Sequence, residues 1–261
     1  MVKQILSVFV WIVSAVGLVI LLAFARHEYL KSPVTGLDVV INRKNQAGFL
    51  NQSKLIADVI ALTDSIEGKP IRHFRLREIK ERLQKNPWVD EADISTTING
   101  RLKIRVKERN AYIRAYNRRN ESIYIDHSGT IFPVNTGYAS RVIIASGYLD
   151  FPVLSGKKTA SIFDSVYRKT ELPELFRLNN ALQADAFLSV LIDQIYMNSL
   201  HEIELTPKIG SATVVLGSLE LLPEKLLHLK AFYKQKAMSE ELIQYQRINL
   251  KFSNQIVCTK R

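Results

Sequence analysis

Few residues in this sequence could support chemistry, and Asp126-His127 is the pair closest to a hydrolytic arrangement. Such chemistry needs a nucleophile or a metal partner, and adjacent residues on a strand point to opposite faces of the sheet. The neighbouring residues are typical of a turn between two strands, with Gly129 suited to a positive φ. We therefore predict that Asp126 hydrogen-bonds the backbone two residues further on and has no catalytic role.

Other residue sets that could carry chemistry are equally sparse. The five histidines lack the i,i+4 spacing of metal ligands on a helix. Cys258 is the single cysteine, which excludes an intrachain disulfide and a cysteine-based zinc site. The sequence has neither a glycine-rich phosphate loop nor a Gly-x-Ser-x-Gly nucleophile elbow. We therefore predict a binding protein that is not an enzyme, with no cofactor, no metal and no small-molecule substrate.

An unbroken apolar run without a charged residue occupies residues 5–25. A helix of this length spans the roughly 30 Å hydrocarbon core of a bilayer, so we predict one transmembrane helix after a short cytoplasmic tail at residues 1–4. Ala23-Phe24-Ala25 has the small-x-small form of a signal-peptidase site, which leaves a cleaved signal as an alternative. We favour the retained helix because the run exceeds the ~7–15 apolar residues of a signal sequence. Basic residues lie on both sides of the run and do not fix its orientation.

The formal charge of +11 makes nucleic acid, an anionic membrane surface, an acidic cell-wall polymer or an acidic protein the candidate electrostatic partners. Basic residues cluster at 101–109 and 114–119, where they alternate with apolar residues. This alternation favours the solvated faces of strands over a dedicated site for a polyanion. Because binding of nucleic acid is not an expected function of an exported domain, we expect no nucleic-acid partner.

Residues 37–106 show patterns of strand, helix, helix, strand and strand in that order, which is typical of a small α+β domain. Asn86-Pro87 ends the second helix, because proline lacks a backbone donor and restricts the residue before it. Asn99-Gly100 separates two alternating runs and predicts a β-hairpin, with the alternating residues Ala92, Ile94, Thr96 and Ile98 in its first strand. A short tether at residues 26–33 precedes this part of the chain.

The second half of the sequence predicts a mixture of helices and strands. Helical spacing covers residues 172–199, with an apolar stripe that we assign to the core: Leu182, Ala186, Leu188, Ile192, Ile195 and Tyr196. Alternating runs at 201–205 and 212–216 predict a hairpin, and a helix begins near Pro223 and runs toward Met238. Two closing strands at 247–252 and 255–258 meet across Ser253-Asn254.

Several motifs occur in an order that resembles one family. NPWV at residues 86–89 resembles the segment of a POTRA domain in which the second helix gives way to the second strand. Downstream, VKER at 106–109, YIDHSGTIFP at 124–133 and FPVLSG at 151–156 look like the successive signatures of the FtsQ/DivIB family of bacterial cell-division proteins. Their order and spacing after an apolar run are hard to obtain by chance, so the chain is identified by resemblance as a member of that family.

The resemblance implies the domain organisation. We expect an α+β protein with a single N-terminal transmembrane helix, a small POTRA domain of β-α-α-β-β order at residues 34–110, and a β domain at residues 111–261. This second domain is expected to be a mixed β-sheet that carries helices.

The resemblance also implies a partner-docking surface at the C-terminal edge of the β domain, where relatives contact the small bitopic proteins FtsB and FtsL. An edge strand offers unpaired backbone groups and can accept a partner strand by β-augmentation. Phe252 would then be an aromatic anchor, and Lys251 would reach an acidic side chain. The alternative is that Phe252 and Val257 are ordinary core and that Lys251 only protects the edge. The predicted partner-binding residues are Lys251, Phe252, Ser253, Asn254, Gln255 and Ile256.

The function implied by the resemblance is that of a non-enzymatic divisome scaffold, which binds FtsB/FtsL-type proteins and helps regulate septal peptidoglycan synthesis. Its expected location is the cell inner membrane at the division septum, with the N-terminus cytoplasmic and the ectodomain periplasmic. A POTRA-containing component of envelope secretion or assembly is the main alternative. An anchored cell-wall enzyme is another, and it would require a cluster of titratable residues.

Overall fold

A computed structural model describes residues 2–43, 47–63, 66–154, 156, 158–236, 241–252 and 255–261. These residues form two compact units. The first contains the chain up to Arg43 together with Leu50–Lys85 and Val89–Glu108, and the second contains Asn86–Trp88 and Arg109–Arg261. Both units include strands and helices, which confirms the predicted α+β class.

The apolar run forms helix α1 (Val2–Lys31). Its segment Phe9–Lys31 is long and apolar enough to cross a membrane, and its most apolar stretch contains no buried residue. The helix continues through residues 26–31, which were predicted as part of a tether. No proline or glycine interrupts these residues, and the Lys31 ammonium pairs with the Glu28 carboxylate one turn earlier at 2.8 Å.

The first unit continues with the predicted order of elements: β1 (Gly36–Asn42), α2 (Gln52–Thr63), α3 (Leu76–Gln84), β2 (Val89–Thr96) and β3 (Arg101–Glu108). A single 3₁₀ turn, Ile71–His73, precedes α3. Strand β3 lies between β1, to which it is parallel, and β2, to which it is antiparallel. Helix α2 contacts β1 and helix α3 contacts β2, and the buried residues of the two helices are Leu55, Val59, Ile79 and Leu83.

The hairpin between β2 and β3 is confirmed, but its turn begins earlier than predicted. The Thr97 N–H donates to the Arg101 carbonyl at 2.9 Å, and the Arg101 N–H donates to the Thr97 hydroxyl at 3.1 Å. These bonds close a turn in which Gly100 has φ +75°. Ile98 was predicted to continue the alternating strand, and this is wrong, since it lies in the turn with 96% of its surface exposed.

The second unit is built on a ten-stranded mixed sheet with helices. Its strands are β4 (Ala111–Tyr116), β5 (Ser122–Asp126), β6 (Thr130–Pro133), β7 (Ile143–Gly147), β8 (Ala160–Ser161), β9 (Ile192–Met197), β10 (Ile203–Pro207), β11 (Thr213–Gly217), β12 (Tyr245–Asn249) and β13 (Val257–Lys260). Its helices are α4 (Leu172–Gln183), α5 (Leu188–Leu191), α6 (Leu222–Lys236) and α7 (Glu241–Gln244). The order across the sheet is β13-β12-β11-β10-β9-β7-β4-β5-β6-β8.

Pairing in this sheet is parallel for β4 with β7, β7 with β9, and β11 with β12, and antiparallel for its other neighbours. The predicted hairpin of β10 and β11 is confirmed. The predicted helix near Pro223 is α6, and Met238, its predicted end, lies outside the described residues.

Residues 192–197 were predicted as helix, and this prediction is wrong. The Asp185 carboxylate accepts hydrogen bonds from the N–H groups of Phe187 and Leu188, at 2.9 and 3.1 Å, and starts the short helix α5. From Ile192 the chain forms β9, which pairs with β7 on one side and β10 on the other. The hydrogen bonds to these two strands outweigh the local preference for helix that the spacing of apolar residues indicates. In the predicted apolar stripe Leu182, Leu188, Ile192 and Ile195 are buried, Tyr196 is half-buried and Ala186 is exposed.

The turn at Asp126 is a structural feature of the second unit. The Asp126 carboxylate accepts hydrogen bonds from the N–H of Ser128 at 2.8 Å, as predicted, and from the N–H of Thr130 at 2.9 Å. Its other oxygen binds Arg109 Nη1 at 2.5 Å, and both side chains are largely buried. Gly129 has φ +82°. The carboxylate therefore fixes the β5–β6 turn and pairs with a buried guanidinium.

Candidate functional site

Strand β13 forms one edge of the ten-stranded sheet, and in the described part of the chain only β12 pairs with it. The two strands are antiparallel, with Val257 opposite Asn249 and Lys260 opposite Tyr245. The outer side of β13 therefore presents backbone N–H and C=O groups that can pair with another strand. Val257 is exposed, whereas Cys258 packs partly against the core.

The closing strands lie at different positions from those predicted. Strand β12 ends at Asn249, because the Asn249 side-chain oxygen accepts a hydrogen bond from the Lys251 N–H at 3.0 Å and turns the chain. Lys251 and Phe252 therefore follow β12 instead of lying in it, and the edge strand begins only at Val257.

The predicted partner-binding residues divide into three groups. Phe252 has 48% of its surface exposed, and Lys251 and Gln255 are also exposed. Ile256 is half-buried and packs against the core. Ser253 and Asn254 lie outside the described residues. The alternative that Phe252 and Val257 are ordinary core residues is wrong, because Val257 also keeps 41% of its surface exposed.

Two ion pairs connect this region with strand β10 and the residue before it. The Lys251 ammonium donates to the Glu202 carboxylate, and this bond lowers the pKa of Glu202. Arg247 Nη2 donates to Glu204 Oε1 at 2.8 Å. Lys251 is thus already paired within the chain, so an acidic group of a partner would compete with Glu202. Local spacing gave no sign of these pairs, because the paired residues are 49 and 43 positions apart.

The edge can bind a partner through side-chain contacts and through backbone pairing with another strand. Among the residues that the structure describes, no group of three or more His, Cys, Asp or Glu could hold a metal ion. Burial raises the pKa of the Cys258 thiol, which lowers its thiolate fraction at neutral pH. Of the residues of β13, Val257 and Cys258 were predicted in a closing strand at 255–258, whereas Thr259 and Lys260 were not predicted as strand.

The first unit, which includes α1, and the second unit define a class of protein: an α+β, POTRA-bearing chain with one candidate membrane-spanning helix among the residues that the structure describes. Comparison with known families supports this assignment, since residues 33–107 match the POTRA-like domain. Residues 111–259, more than half of the chain, match the family described as FtsQ/DivIB, C-terminal related. The chain therefore belongs to the FtsQ/DivIB family of cell-division proteins.

Individual relatives are similar over most of the chain. The cell division protein FtsQ of Geotalea daltonii is 27% identical over 205 residues, which cover 78% of this chain and 70% of that protein. The cell division protein FtsQ of Syntrophotalea carbinolica is 25% identical over 195 residues, 74% of this chain and 65% of its own length. That of Salinibacter ruber is 27% identical over 194 residues, 70% of this chain and 69% of its own. These comparisons confirm the family resemblance of the sequence motifs.

Proposed function

We propose that this cell-division protein is a non-enzymatic scaffold of the divisome, which binds small bitopic proteins of the FtsB/FtsL type through the edge strand β13. By holding these partners it helps regulate septal peptidoglycan synthesis by other proteins. Helix α1 anchors it in the inner membrane at the septum, with its N-terminus cytoplasmic and the ectodomain that follows α1 periplasmic.

The observation that carries this proposal is the open edge of β13, which lies in the part of the chain that matches the family. Strand addition to such an edge supplies affinity through backbone hydrogen bonds, and neighbouring side chains supply specificity. Val257 in β13 and Phe252, which follows β12, are exposed apolar side chains. An exposed aromatic residue near the centre of a docking surface is a typical hot spot.

The edge-strand claim can be tested with proline substitutions at neighbouring positions of β13. In an antiparallel pair, successive residues direct their N–H groups alternately toward the partner strand and away from it. Cys258 and Thr259 are neighbours, so the N–H of one of them points away from β12. Of the variants Cys258→Pro and Thr259→Pro, the one at that position removes a donor from the outer side of β13 and leaves the pairing with β12 intact. We expect that variant to keep its melting temperature and to lose capture of a coexpressed FtsB/FtsL-type pair by the full chain. Normal capture by both folded variants would contradict the proposal.

The proposed orientation is tested separately by adding protease to spheroplasts. Cleavage in the two folded units without lysis is the expected result. Protection of both units until the membrane is lysed would contradict a periplasmic location.

A further inference from the structure

The tip of the β2–β3 hairpin places a large apolar side chain almost entirely outside the protein. Ile98 is 96% exposed, and its neighbour Asn99 is exposed as well. An isolated exposed isoleucine needs no explanation by itself. The position of this one next to the end of α1 gives it a specific environment.

Four hydrogen bonds fix the hairpin tip to the end of α1 and the residues after it. The Tyr29 hydroxyl, two residues before α1 ends, forms hydrogen bonds with Thr96 Oγ1 at 2.8 Å and with the Thr97 carbonyl at 3.1 Å. Thr35 then donates twice to the turn, from its hydroxyl to the Asn99 carbonyl at 3.0 Å and from its N–H to the Gly100 carbonyl at 2.9 Å. The tip is therefore held against the end of this helix.

The height of the tip above the bilayer follows from helix geometry. The apolar run ends at Ala25, and Tyr29 comes four residues later, so its Cα lies about 6 Å beyond the hydrocarbon edge. The headgroup layer on each side of a bilayer is about 5–8 Å thick. Tyr29 and the Ile98 turn bonded to it therefore lie at headgroup level. A tyrosine at this depth is typical of membrane-spanning helices.

A basic cavity lies beside the same helix end. Its volume is about 670 Å³, and its lining includes Lys69, Arg72, Arg75 and Arg82 but only one acidic residue, Glu78, which pairs with Arg75. Within the described residues no carboxylate forms an ion pair with Lys69, Arg72 or Arg82, although the Lys69 ammonium donates to the Thr63 carbonyl.

The cavity is joined to the end of α1 by backbone hydrogen bonds. The Ile71 N–H donates to the Ser32 carbonyl at 3.1 Å, and the Val34 N–H donates to the Lys69 carbonyl at 2.9 Å. The 3₁₀ turn Ile71–His73 also contacts α1 directly. The basic cavity and the hairpin tip are thus both attached to residues 29–35.

We propose that this membrane-proximal face, defined by Ile98, Lys69 and Arg72, docks on the surface of an anionic phospholipid bilayer. Ile98 enters the interfacial layer, and the two cations bind lipid phosphate groups. Continuity with the membrane-spanning helix argues for this occupant, because the anchor holds the hairpin tip at the depth of the headgroups. Through Ser32, about 10 Å beyond the hydrocarbon edge, it also holds the two cations next to that layer. The inference rests on the membrane anchor of the proposed function and is independent of partner docking at β13.

The test uses the full chain in vesicles of equimolar phosphatidylcholine and phosphatidylglycerol, with Cys258 replaced by serine. An environment-sensitive fluorophore is attached to Ile98→Cys, and a spin-labelled lipid with its nitroxide near the headgroup serves as the quencher. Val40→Cys is the matched control, since Val40 is 45% exposed and lies four residues, about 13 Å, along β1 from Gly36. Val16→Cys, in the middle of α1, reports on the anchor.

We expect the probes at Ile98 and Val16 to show blue-shifted emission and the Ile98 probe to be quenched at least twofold more than the Val40 probe. If the probe at Val16 is in lipid and the probe at Ile98 is quenched no more than the probe at Val40, docking of this face is wrong. The membrane anchor is then still supported. If Val16 is also in water, the anchor itself is wrong and the inference falls with it.

The role of the basic cavity is tested by Lys69→Gln with Arg72→Gln in the Ile98→Cys chain. A basic residue near an anionic surface contributes about 1 kcal/mol, so each substitution should lower the ratio of docked to undocked chains about fivefold. The control is Arg105→Gln with Lys107→Gln, which removes the same two charges at the other end of β3. Equal effects of the two double variants, or no effect in vesicles that contain phosphatidylglycerol, would overturn phosphate binding by the cavity.

Discussion

Replacing Phe252 with alanine should weaken partner binding strongly and leave the fold intact. A phenylalanine side chain contributes about 200 Å² of surface, so 48% exposure leaves about 100 Å² for a partner to cover. At about 25 cal/mol per Å², covering this area stabilises the complex by about 2.5 kcal/mol. The dissociation constant of Phe252→Ala should therefore rise about 60-fold.

The assay measures the dissociation constant for a purified FtsB/FtsL-type pair with the full chain in nanodiscs. Phe163→Ala is the matched control, because Phe163 is 61% exposed and follows β8 at the opposite edge of the same sheet. This control removes the same side chain and should change the dissociation constant less than about twofold. Melting temperatures of both variants establish that the fold is retained.

The reasoning is refuted if Phe252→Ala binds within about threefold of the wild type. It is equally refuted if Phe163→Ala loses as much affinity as Phe252→Ala, because the loss would then not be specific to the β13 end of the sheet.

Three further predictions concern the stability of the second unit, measured by urea unfolding of the detergent-solubilised chain. Asp126→Ala leaves the buried Arg109 guanidinium without its carboxylate and should lower the free energy of unfolding by about 3–5 kcal/mol. Gly147→Ala should cost more than about 3 kcal/mol, because φ is +104° and the new Cβ would lie 2.1 Å from the Met197 carbonyl oxygen. Burial raises the pKa of Tyr233 to about 12, above its ordinary value near 10. The unfolded chain loses this proton first, so Tyr233 should lower the stability of the wild type by roughly 3 kcal/mol between about pH 10 and pH 12. Tyr233→Phe should remove this contribution and leave those of Tyr112 and Tyr167, whose pKa burial also raises.

The first two of these predictions each have a control variant in the same unit. Asp193→Ala breaks an exposed pair with Lys208 and should cost less than about 1 kcal/mol. Gly156→Ala, also in the second unit, has open space around the new Cβ at φ +73° and should cost only about 1–2 kcal/mol.

At neutral pH the Tyr233→Phe variant should be at least as stable as the wild type, because no described group bonds the buried Tyr233 hydroxyl. A large loss from either control, or an unchanged alkaline profile in Tyr233→Phe, would contradict the physical reasons given.

Local sequence signals predicted the elements of the first unit well. Helical spacing, the stop at Asn86-Pro87 and the turn residues Asn99-Gly100 gave its order of elements without any long-range information. The exposed position of Ile98 could not be predicted in this way. It depends on hydrogen bonds between Thr97 and Arg101, which end the strand before Ile98.

Predictions failed in the second unit where distant strands decide the local structure. Residues 192–197 have helical spacing, but pairing with β7 and β10 makes them a strand. The limits of the edge strand were missed for a related reason, since the Asn249 side chain ends β12 before Lys251. The location of the docking surface came from the family resemblance. The sequence contained no pattern that could reveal the pair of Lys251 with Glu202.

The most direct test of docking at β13 is hydrogen exchange of the full chain, measured residue by residue with and without a bound FtsB/FtsL-type pair. We predict that the outward amides of β13 (Val257–Lys260) exchange at least about tenfold more slowly in the complex, because they donate to a partner strand. The amides of β8, at the opposite edge, should not change. Unaltered exchange throughout β13, together with new protection elsewhere, would contradict the proposed docking edge.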